Sequence, residues 1–407
     1  MMERTGSSGV SGGRRGGARV ATLIGAMVFA VFVSACGGST GDSEADSAGD
    51  SASPAAVGED GGEQEPGGRG RGASNWVQDT VIHKPEETHF ANVRQLTFGG
   101  QNAEAYWAFD GSHLIYQSTP PEGGCDQIFT LDLASGVSER VSTGEGRTTC
   151  SYFYPSGDQI LYSSTHQWGA ACPAEPDLSE GYVWAVYPTF DVFVSDSDGS
   201  NLRPLTRSWG YDAEATFSPR GDRIVFTSMR DGDLDIYSMA PDGSDVVRLT
   251  DQLGYDGGPF YSPDGSKIVY RAHRPETPEA AADYRSLLAE GMIRPSALEI
   301  YVMDADGSNQ TRLTENGAAN FAPYWHPSGQ QIVFSSNLAD PAGRDFDIFM
   351  IQADGSGIEQ ITHSGEFDGF PVFSPDGTQI VFASNRNGSI EGDTNIFIAD
   401  WVPRETP

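Results

Sequence analysis

Ser262-Pro263-Asp264-Gly265 decides the fold of this 407-residue chain, because the tetrapeptide recurs along the sequence at a regular spacing. An identical copy stands at Ser374-Pro375-Asp376-Gly377, and variants stand at residues 108–111, 154–157, 218–221 and 326–329. The second positions of successive copies lie 46, 64, 44, 64 and 48 residues apart. The chain therefore contains six repeats, and the two longer steps carry insertions.

Each repeat shows the same order of local signals. Pro-Asp-Gly is a turn, because proline fixes φ and glycine accepts positive φ. An alternating run such as Ile224-Val225-Phe226 follows, then Asp-Ile-Tyr or Asp-Ile-Phe, then Asp-Gly-Ser, then Arg-x-Leu-Thr. Short runs rich in β-branched and aromatic residues predict strands rather than helices. Four strands per repeat predict an all-β fold, a six-bladed β-propeller of four-stranded blades.

The two ends of the repeat array predict how the ring closes. The array begins with an isolated Arg94-Gln95-Leu96-Thr97, which matches the fourth-strand signature at Arg248-Leu249-Thr250. It ends with Asn395-Ile396-Phe397-Ile398, which matches a third strand. The last blade thus lacks its outer strand unless residues 93–97 supply it. We expect that pairing, since it removes an open sheet edge.

These repeats resemble the WD40-like (PD40) propeller repeats of the periplasmic TolB family, and the resemblance covers residues 90–401. It implies the fold more strongly than the function, because propellers serve as scaffolds, binding surfaces and enzymes. The separate N-terminal α/β domain of TolB itself has no counterpart in this sequence. Binding of TolA through such a region is therefore not implied.

The N-terminal residues predict export and lipid attachment. Arg14, Arg15 and Arg19 precede an apolar run from Val20 to Phe32, and Val33-Ser34-Ala35-Cys36 follows. This pattern is typical of a signal peptide with a small-residue cleavage site. The last four residues resemble a bacterial lipobox, in which Cys36 is acylated. The alternative is an ordinary secretory signal with an incidental cysteine.

The residues after Cys36 are rich in Gly, Ser, Ala, Asp and Glu and have too few large apolar side chains to fold. The expected location is the cell envelope, anchored in the outer membrane and facing the periplasm. The expected organisation is a signal peptide at 1–35, a lipidated N-terminus and disordered linker at 36–75, a lead-in segment at 76–92, the propeller at 93–401 with insertions at 166–189 and 273–297, and a tail at 402–407.

The charge balance restricts the class of partner. The chain has 57 acidic and 25 basic residues and a formal net charge of −32. Nucleic acids and anionic lipid surfaces repel such a chain, so we expect no nucleic-acid partner and membrane contact through the lipid anchor only. The simplest interpretation of the charge is a solvated acidic exterior.

Three cysteines remain after Cys36, so one disulfide and one free thiol are expected in an oxidising compartment. Aligned on the repeat, Cys125, Cys150 and Cys172 all fall at one end of the propeller. We expect Cys150 to pair with Cys172, which would pin the first insertion. Pairings that include Cys125 remain open, and zinc ligation is not expected without Cys-x-x-Cys spacing.

The same end of the propeller collects the candidate binding residues. Because first strands line a propeller's channel, carboxylates that lead into them should ring its mouth and recognise a cation, a metal or a basic peptide. The alternative is that they accept backbone hydrogen bonds within turns. Aromatic residues on the first insertion and a short helix in the second suit ligand contact. The candidate residues are Glu104, Asp212, Glu214, Asp256, Asp368, Trp168 and Trp184.

Catalytic motifs are scarce. The sequence has no Gly-x-Ser-x-Gly elbow, P-loop or His-Glu-x-x-His. We therefore expect a non-catalytic module without a cofactor that binds a periplasmic or envelope protein, with peptidoglycan-associated proteins as one candidate class. The alternatives are a peptidase-associated propeller and a carbohydrate-active one. Oligogalacturonate lyases have a similar propeller with histidine-bound manganese, so His166, His273 and His363 are the alternative ligands for a divalent metal ion.

Overall fold

The computed structural model describes residues 82–404, except for residues 180, 342, 344 and 391. Within this part of the chain, six four-stranded antiparallel sheets form the predicted six-bladed propeller. The six first strands contact one another in a closed ring around a central channel. Cys36, the signal peptide, the linker and the beginning of the lead-in segment lie outside the described residues.

The strands of the first three blades follow each other in chain order, and the innermost strand of each blade comes first. Blade one contains β2 (Gln101–Trp107), β3 (His113–Thr119), β4 (Gln127–Asp132) and β5 (Ser138–Arg140). Blade two contains β6 (Thr148–Phe153), β7 (Gln159–Ser164), β9 (Asp191–Asp196) and β10 (Arg203–Pro204). Blade three contains β11 (Asp212–Phe217), β12 (Ile224–Ser228), β13 (Asp235–Met239) and β14 (Val247–Arg248).

The last three blades repeat this order, except that the outer strand of blade six comes from the beginning of the described chain. Blade four contains β15 (Tyr255–Tyr261), β16 (Lys267–His273), β18 (Glu299–Asp304) and β19 (Thr311–Arg312). Blade five contains β20 (Asn320–Trp325), β21 (Gln331–Ser336), β22 (Asp347–Gln352) and β23 (Glu359–Gln360). Blade six contains β24 (Asp368–Phe373), β25 (Gln379–Ser384), β26 (Asn395–Trp401) and β1 (Phe90–Gln95).

The recurrent Ser-Pro-Asp-Gly forms the turn between the first and second strands. In blade four, the Ser262 hydroxyl donates to Asp264 at 2.6 Å, and the Gly265 N–H donates to the Ser262 carbonyl at 2.8 Å. Gly265 has a φ of +73°, which explains why glycine stands at this position. The Lys267 N–H then donates to the Ser262 hydroxyl at 2.9 Å, so one serine side chain links both ends of the turn.

Ring closure by the N-terminal strand is confirmed. β1 pairs antiparallel with β26, with Phe90 opposite Trp401 and Gln95 opposite Phe397. The Ile396 N–H donates to the Thr97 hydroxyl at 2.8 Å, which is the bond that the Ile236 N–H makes with Thr250 in blade three at 2.9 Å. The threonine of Arg-x-Leu-Thr therefore has the same role in the closing strand as within a blade.

The predicted disulfide Cys150–Cys172 is wrong. The structure pairs Cys125 with Cys172, with the two Cα atoms 5.6 Å apart, and leaves Cys150 free. Cys150 lies within β6, where its backbone has a φ of +49° and its side chain lines the channel. The bond between Cys125 and Cys172 ties the first insertion to the loop between β3 and β4. The insertion is thus pinned as expected, but to blade one.

The second insertion forms the predicted helix, α1 (Pro278–Ala289). The Thr277 side chain caps it by accepting from the Ala280 N–H at 3.1 Å, and Pro278 occupies the first turn. Tyr284 and Leu288 are the buried positions of the helix. Among the described residues, no helix is both long and apolar enough to cross a membrane.

Candidate functional site

Every first strand contains a bulge that turns one residue into the channel. The strand register shifts at the same point in all six blades, and one residue of each bulge has a φ between +49° and +59°. This backbone conformation is uncommon for residues other than glycine. Because the bulge recurs in all six blades, it belongs to the architecture of the propeller. It changes the direction of one side chain in each first strand, as bulges commonly do. The six residues are Glu104, Cys150, Glu214, Gly258, Ala322 and Phe370.

Aromatic side chains close the channel two positions further along the first strands. The Tyr106 ring lies 5.5 Å from the rings of both Tyr152 and Phe260, and Phe260 lies 5.2 Å from Tyr324. The Tyr152 and Tyr324 hydroxyls are 3.4 Å apart. This aromatic layer forms the floor beneath the six bulge residues.

The two insertions meet above the channel and form its roof. β8 (Trp184–Ala185) from the first insertion pairs antiparallel with β17 (Met292–Ile293) from the second. The Val186 N–H also donates to the Gly291 carbonyl at 2.8 Å. We call this pair of strands the bridging ribbon. Trp184 points towards the channel, where its ring lies 6.3 Å from that of Phe321.

A cavity of about 450 Å³ lies between the aromatic floor and the bridging ribbon. All six bulge residues line it, and aromatic side chains form much of the remaining wall. A cavity of this size lies within the range of small-molecule sites in proteins. We call it the central cavity.

Glu214 is held in a dense hydrogen-bonded group at one side of the central cavity. It accepts from Arg271, from the Thr227 hydroxyl at 2.7 Å and from the Gly258 N–H at 2.9 Å. The Tyr255 hydroxyl donates to it at 3.1 Å. The Arg271 guanidinium also lies 5.3 Å from the centre of the Trp184 ring, so the pair supports the bridging ribbon from below.

A second ion pair lies on another side of the wall. Arg147 bonds to the Glu175 carboxylate, and its Nε lies 3.7 Å from Asp126 Oδ2. Glu175 belongs to the first insertion, whereas Arg147 precedes β6. The pair therefore neutralises this guanidinium and holds the insertion against blade two.

Glu104 differs from these carboxylates because it has no ion-pair partner among the described residues. Its Oε2 atom is buried and accepts no hydrogen bond. Burial raises the pKa of Glu104 to about 7, and the neighbouring Glu214 acts in the same direction. Burial also raises the pKa of the Cys150 thiol well above its usual value, so this cysteine stays protonated.

The fold and the repeat signature both have known counterparts. The family model described as the TolB beta propeller domain (PD40) matches residues 186–283. The Tol-Pal system protein TolB of Bordetella pertussis is 31% identical over 131 residues, which are 32% of this chain and 25% of that protein. The repeat region of this chain is similar to the TolB propeller domain. The matched region spans about a quarter of the length of these curated relatives.

Solved structures agree with the propeller fold. A structure from Agrobacterium tumefaciens assigned to TolB is 23% identical, with a TM-score of 0.52, and the match covers 75% of this chain and 91% of that one. A gluconolactonase from Xanthomonas campestris is 12% identical, with a TM-score of 0.51, and the match covers 77% of this chain and 91% of that one. At these identities the similarity shows the fold alone.

Three of the predicted mouth carboxylates do not line the central cavity. Asp212, Asp256 and Asp368 are fully buried at the beginnings of their strands. Each forms an ion pair with the arginine two residues after the second-strand residue opposite the aspartate, and these arginines are Arg230, Arg274 and Arg386. They are structural residues, and only Glu104 and Glu214 of the predicted five face the cavity.

The sequence of the other blades contains the signal that identifies these ion pairs. Where Asn102, Thr148 or Asn320 stands at the position of the aspartate, Pro120, His166 or Leu338 stands at the position of the arginine. Aspartate and arginine thus occur together or not at all in the six repeats. At this position the buried aspartate and its arginine counter-ion therefore belong to the same blade.

The two predicted tryptophans have different surroundings. Trp184 lies in the bridging ribbon and lines the central cavity. Trp168 is 50% exposed on the outer surface of the first insertion, and its ring lies 5.2 Å from that of Trp209, which is 67% exposed. Trp209 was not among the predicted residues, because its loop shows no insertion or charge run.

The three histidines of the alternative metal site lie apart. His166 packs on Phe193 in blade two, whereas the His273 ring faces the Ala297 carbonyl in blade four. The backbone N–H of His363 donates to the Glu87 carboxylate beside blade six. None of the three lines the central cavity, and no group of three His, Cys, Asp or Glu residues among the described ones could hold a metal ion.

Proposed function

We propose that this protein is an exported, lipid-anchored propeller that binds a second protein of the cell envelope without catalysing a reaction. The contact surface is the end of the propeller that carries the insertions. We call it the insertion face. The curated TolB relatives are named as Tol-Pal system proteins, which supports an envelope protein as partner and makes peptidoglycan-associated proteins one candidate class.

The observation that carries this proposal is the tryptophan pair, Trp168 and Trp209, on the insertion face. The two rings pack edge to face, and the Trp168 Nε1–H donates to Asp191 Oδ2 at 3.0 Å, which fixes the orientation of the ring. Exposed tryptophans are the side chains most enriched among interface residues that dominate binding. A pair that is already ordered loses little conformational entropy when a partner covers it.

The bridging ribbon keeps a macromolecular partner on the outer surface of the insertion face. Because β8 and β17 span the mouth of the channel, a partner chain meets the outer surface of the insertions. Phe98 and Ile390 are further large apolar side chains exposed at this end, in the loops before β2 and before β26. The insertion face thus offers several apolar anchors on a strongly acidic protein.

The test is capture of partners from detergent-solubilised envelopes with the full, acylated chain. The double variant Trp168→Ala/Trp209→Ala should lose the captured protein. The matched control is Val137→Ala/Val246→Ala, which removes exposed apolar side chains from turns at the opposite end of the propeller. Equal capture by both variants would show that the tryptophan pair does not contact the partner.

Lipid anchoring is tested separately. The Val33-Ser34-Ala35-Cys36 sequence supports acylation of Cys36 and placement at the outer membrane facing the periplasm. Cys36→Ser should move the protein from the detergent phase to the aqueous phase in a Triton X-114 partition, without a change in its circular dichroism. Unchanged partitioning would exclude the anchor and leave the partner proposal untouched.

A further inference from the structure

The central cavity has the features of a small-molecule site that is separate from the insertion face. It is bounded by the aromatic floor, the six first strands and the bridging ribbon, and its volume is about 450 Å³. The wall combines aromatic rings with polar and charged side chains, and ligand pockets use both. The bridging ribbon crosses the mouth of this space.

Carboxyl groups outnumber guanidinium groups around the central cavity. Its lining residues include two guanidinium groups, Arg147 and Arg271, and both are already neutralised by carboxylates. The remaining carboxyl group is that of Glu104, whose buried Oε2 has no hydrogen-bond partner. A buried carboxylate without a counter-ion is costly, and a ligand that supplies the missing positive charge removes this cost.

We propose that the central cavity binds a small organic cation, an amine or a quaternary ammonium group on an apolar body, with Glu104 as its counter-ion. The aromatic walls suit such a ligand, because the faces of aromatic rings attract cations. Phe370 and Phe321 lie on one side of the cavity, and Tyr211 lies on the other, directly before the strand that contains Glu214. The apolar body of the ligand would pack between these rings and the bridging ribbon.

Other ligand classes fit less well. An anion would meet four carboxyl groups, and both guanidinium groups already form ion pairs with carboxylates, although the buried Nε of each makes no hydrogen bond. A bare metal ion needs several oxygen, nitrogen or sulfur ligands at one point, and the described residues contain no such cluster. The proposal does not depend on the protein partner, since none of the residues used here belongs to the tryptophan pair.

Isothermal titration calorimetry with three phenyl-substituted probes of similar size tests the proposal. The probes are 2-phenylethylamine as the cation, 2-phenylethanol as the uncharged isostere and 3-phenylpropionate as the anion, each titrated at pH 8. The amine should bind saturably at one site and at least about tenfold more tightly than the alcohol, because a charge-assisted hydrogen bond contributes that much. The carboxylate should bind more weakly than either.

Two variants of one residue decide whether Glu104 causes the preference. Glu104→Gln should weaken amine binding about tenfold and leave alcohol binding unchanged. Glu104→Asp keeps the charge and should keep the preference for the amine. The control, Glu139→Gln, alters an exposed glutamate in β5 and should change nothing. The proposal is wrong if the alcohol or the carboxylate binds as tightly as the amine, if Glu104→Gln keeps the preference, or if no probe binds saturably.

Discussion

Replacing Arg386 with leucine should destabilise the propeller more than any exposed ion pair could. Its side chain is 3% exposed and donates to two carboxylates that are fully buried, Glu87 at 2.7 Å and Asp368 at 2.7 Å. It also donates to the Ile82 carbonyl at 2.9 Å. Arg386 therefore joins the segment before β1 to blade six, across about 300 residues of sequence.

The magnitude follows from what the substitution leaves behind. Without Arg386, Glu87 and Asp368 remain buried and unpaired, and removal of one partner from a buried ion pair costs about 3–5 kcal/mol. The control is Arg220→Leu, which breaks a 3.0 Å pair with Asp222 in which both side chains are more than half exposed. Exposed pairs contribute at most about 1 kcal/mol, so this control should be nearly neutral.

Urea unfolding followed by circular dichroism at pH 7.4 measures both effects as changes in the free energy of unfolding. The triple variant Arg386→Leu/Glu87→Gln/Asp368→Asn should recover much of the loss, because it no longer buries uncompensated charge. A loss below 1 kcal/mol for Arg386→Leu, or a triple variant less stable than the single one, would refute the view that this ion pair holds the closing segment.

Three further predictions concern closure, crosslinking and charge. Deletion of residues 90–95 should expose β26 as a sheet edge and cause aggregation, and monomeric elution with the parent melting temperature would contradict this. Cys125→Ser should cost about 4 kcal/mol of unfolding free energy, from the chain entropy of the loop that closes at Cys172, and no loss in urea unfolding would exclude the crosslink. Glu104→Gln should raise stability at pH 8 but not at pH 4. Burial raises the pKa of Glu104 to about 7. The protonated side chain therefore makes its whole contribution to the free energy of unfolding below pH 4.5, and this contribution is lost as the pH rises through 7. Equal pH profiles of wild type and variant would contradict this.

The sequence was sufficient to predict the ring because its signals are local and repeated. Ser262-Pro263-Asp264-Gly265 specifies a turn by its own backbone preferences, and six copies specify six blades. The closing strand was predictable for the same reason, since Thr97 makes the bond that Thr250 makes within a blade.

The central cavity could not be predicted from the same signals. The bulge in each first strand decides which side chain enters the channel, and the six bulge residues, from Glu104 to Phe370, are of five different types. The predicted aspartates lie earlier in the strands and turn into the blades instead. The bridging ribbon pairs two-residue strands more than a hundred residues apart, at Trp184 and Ile293, which no local pattern indicates.

The pairing of the cysteines could not be predicted from local sequence signals either. All three cysteines were expected at one end of the propeller, and spacing alone does not distinguish pairs there. The bulge in β6 decides the pairing, because it turns Cys150 into the channel beside Glu104 and leaves Cys125 and Cys172 facing each other.

Site-specific photo-crosslinking in growing cells tests most directly whether the insertion face contacts an envelope protein. A photoreactive amino acid replaces Arg207, an exposed residue two positions before Trp209, in the full chain with Cys36 intact. The control places it at Val246, at the opposite end of the propeller. We expect a light-dependent adduct with one envelope protein from position 207 and none from position 246. No adduct at 207, or the same adduct at both positions, would contradict the proposed function.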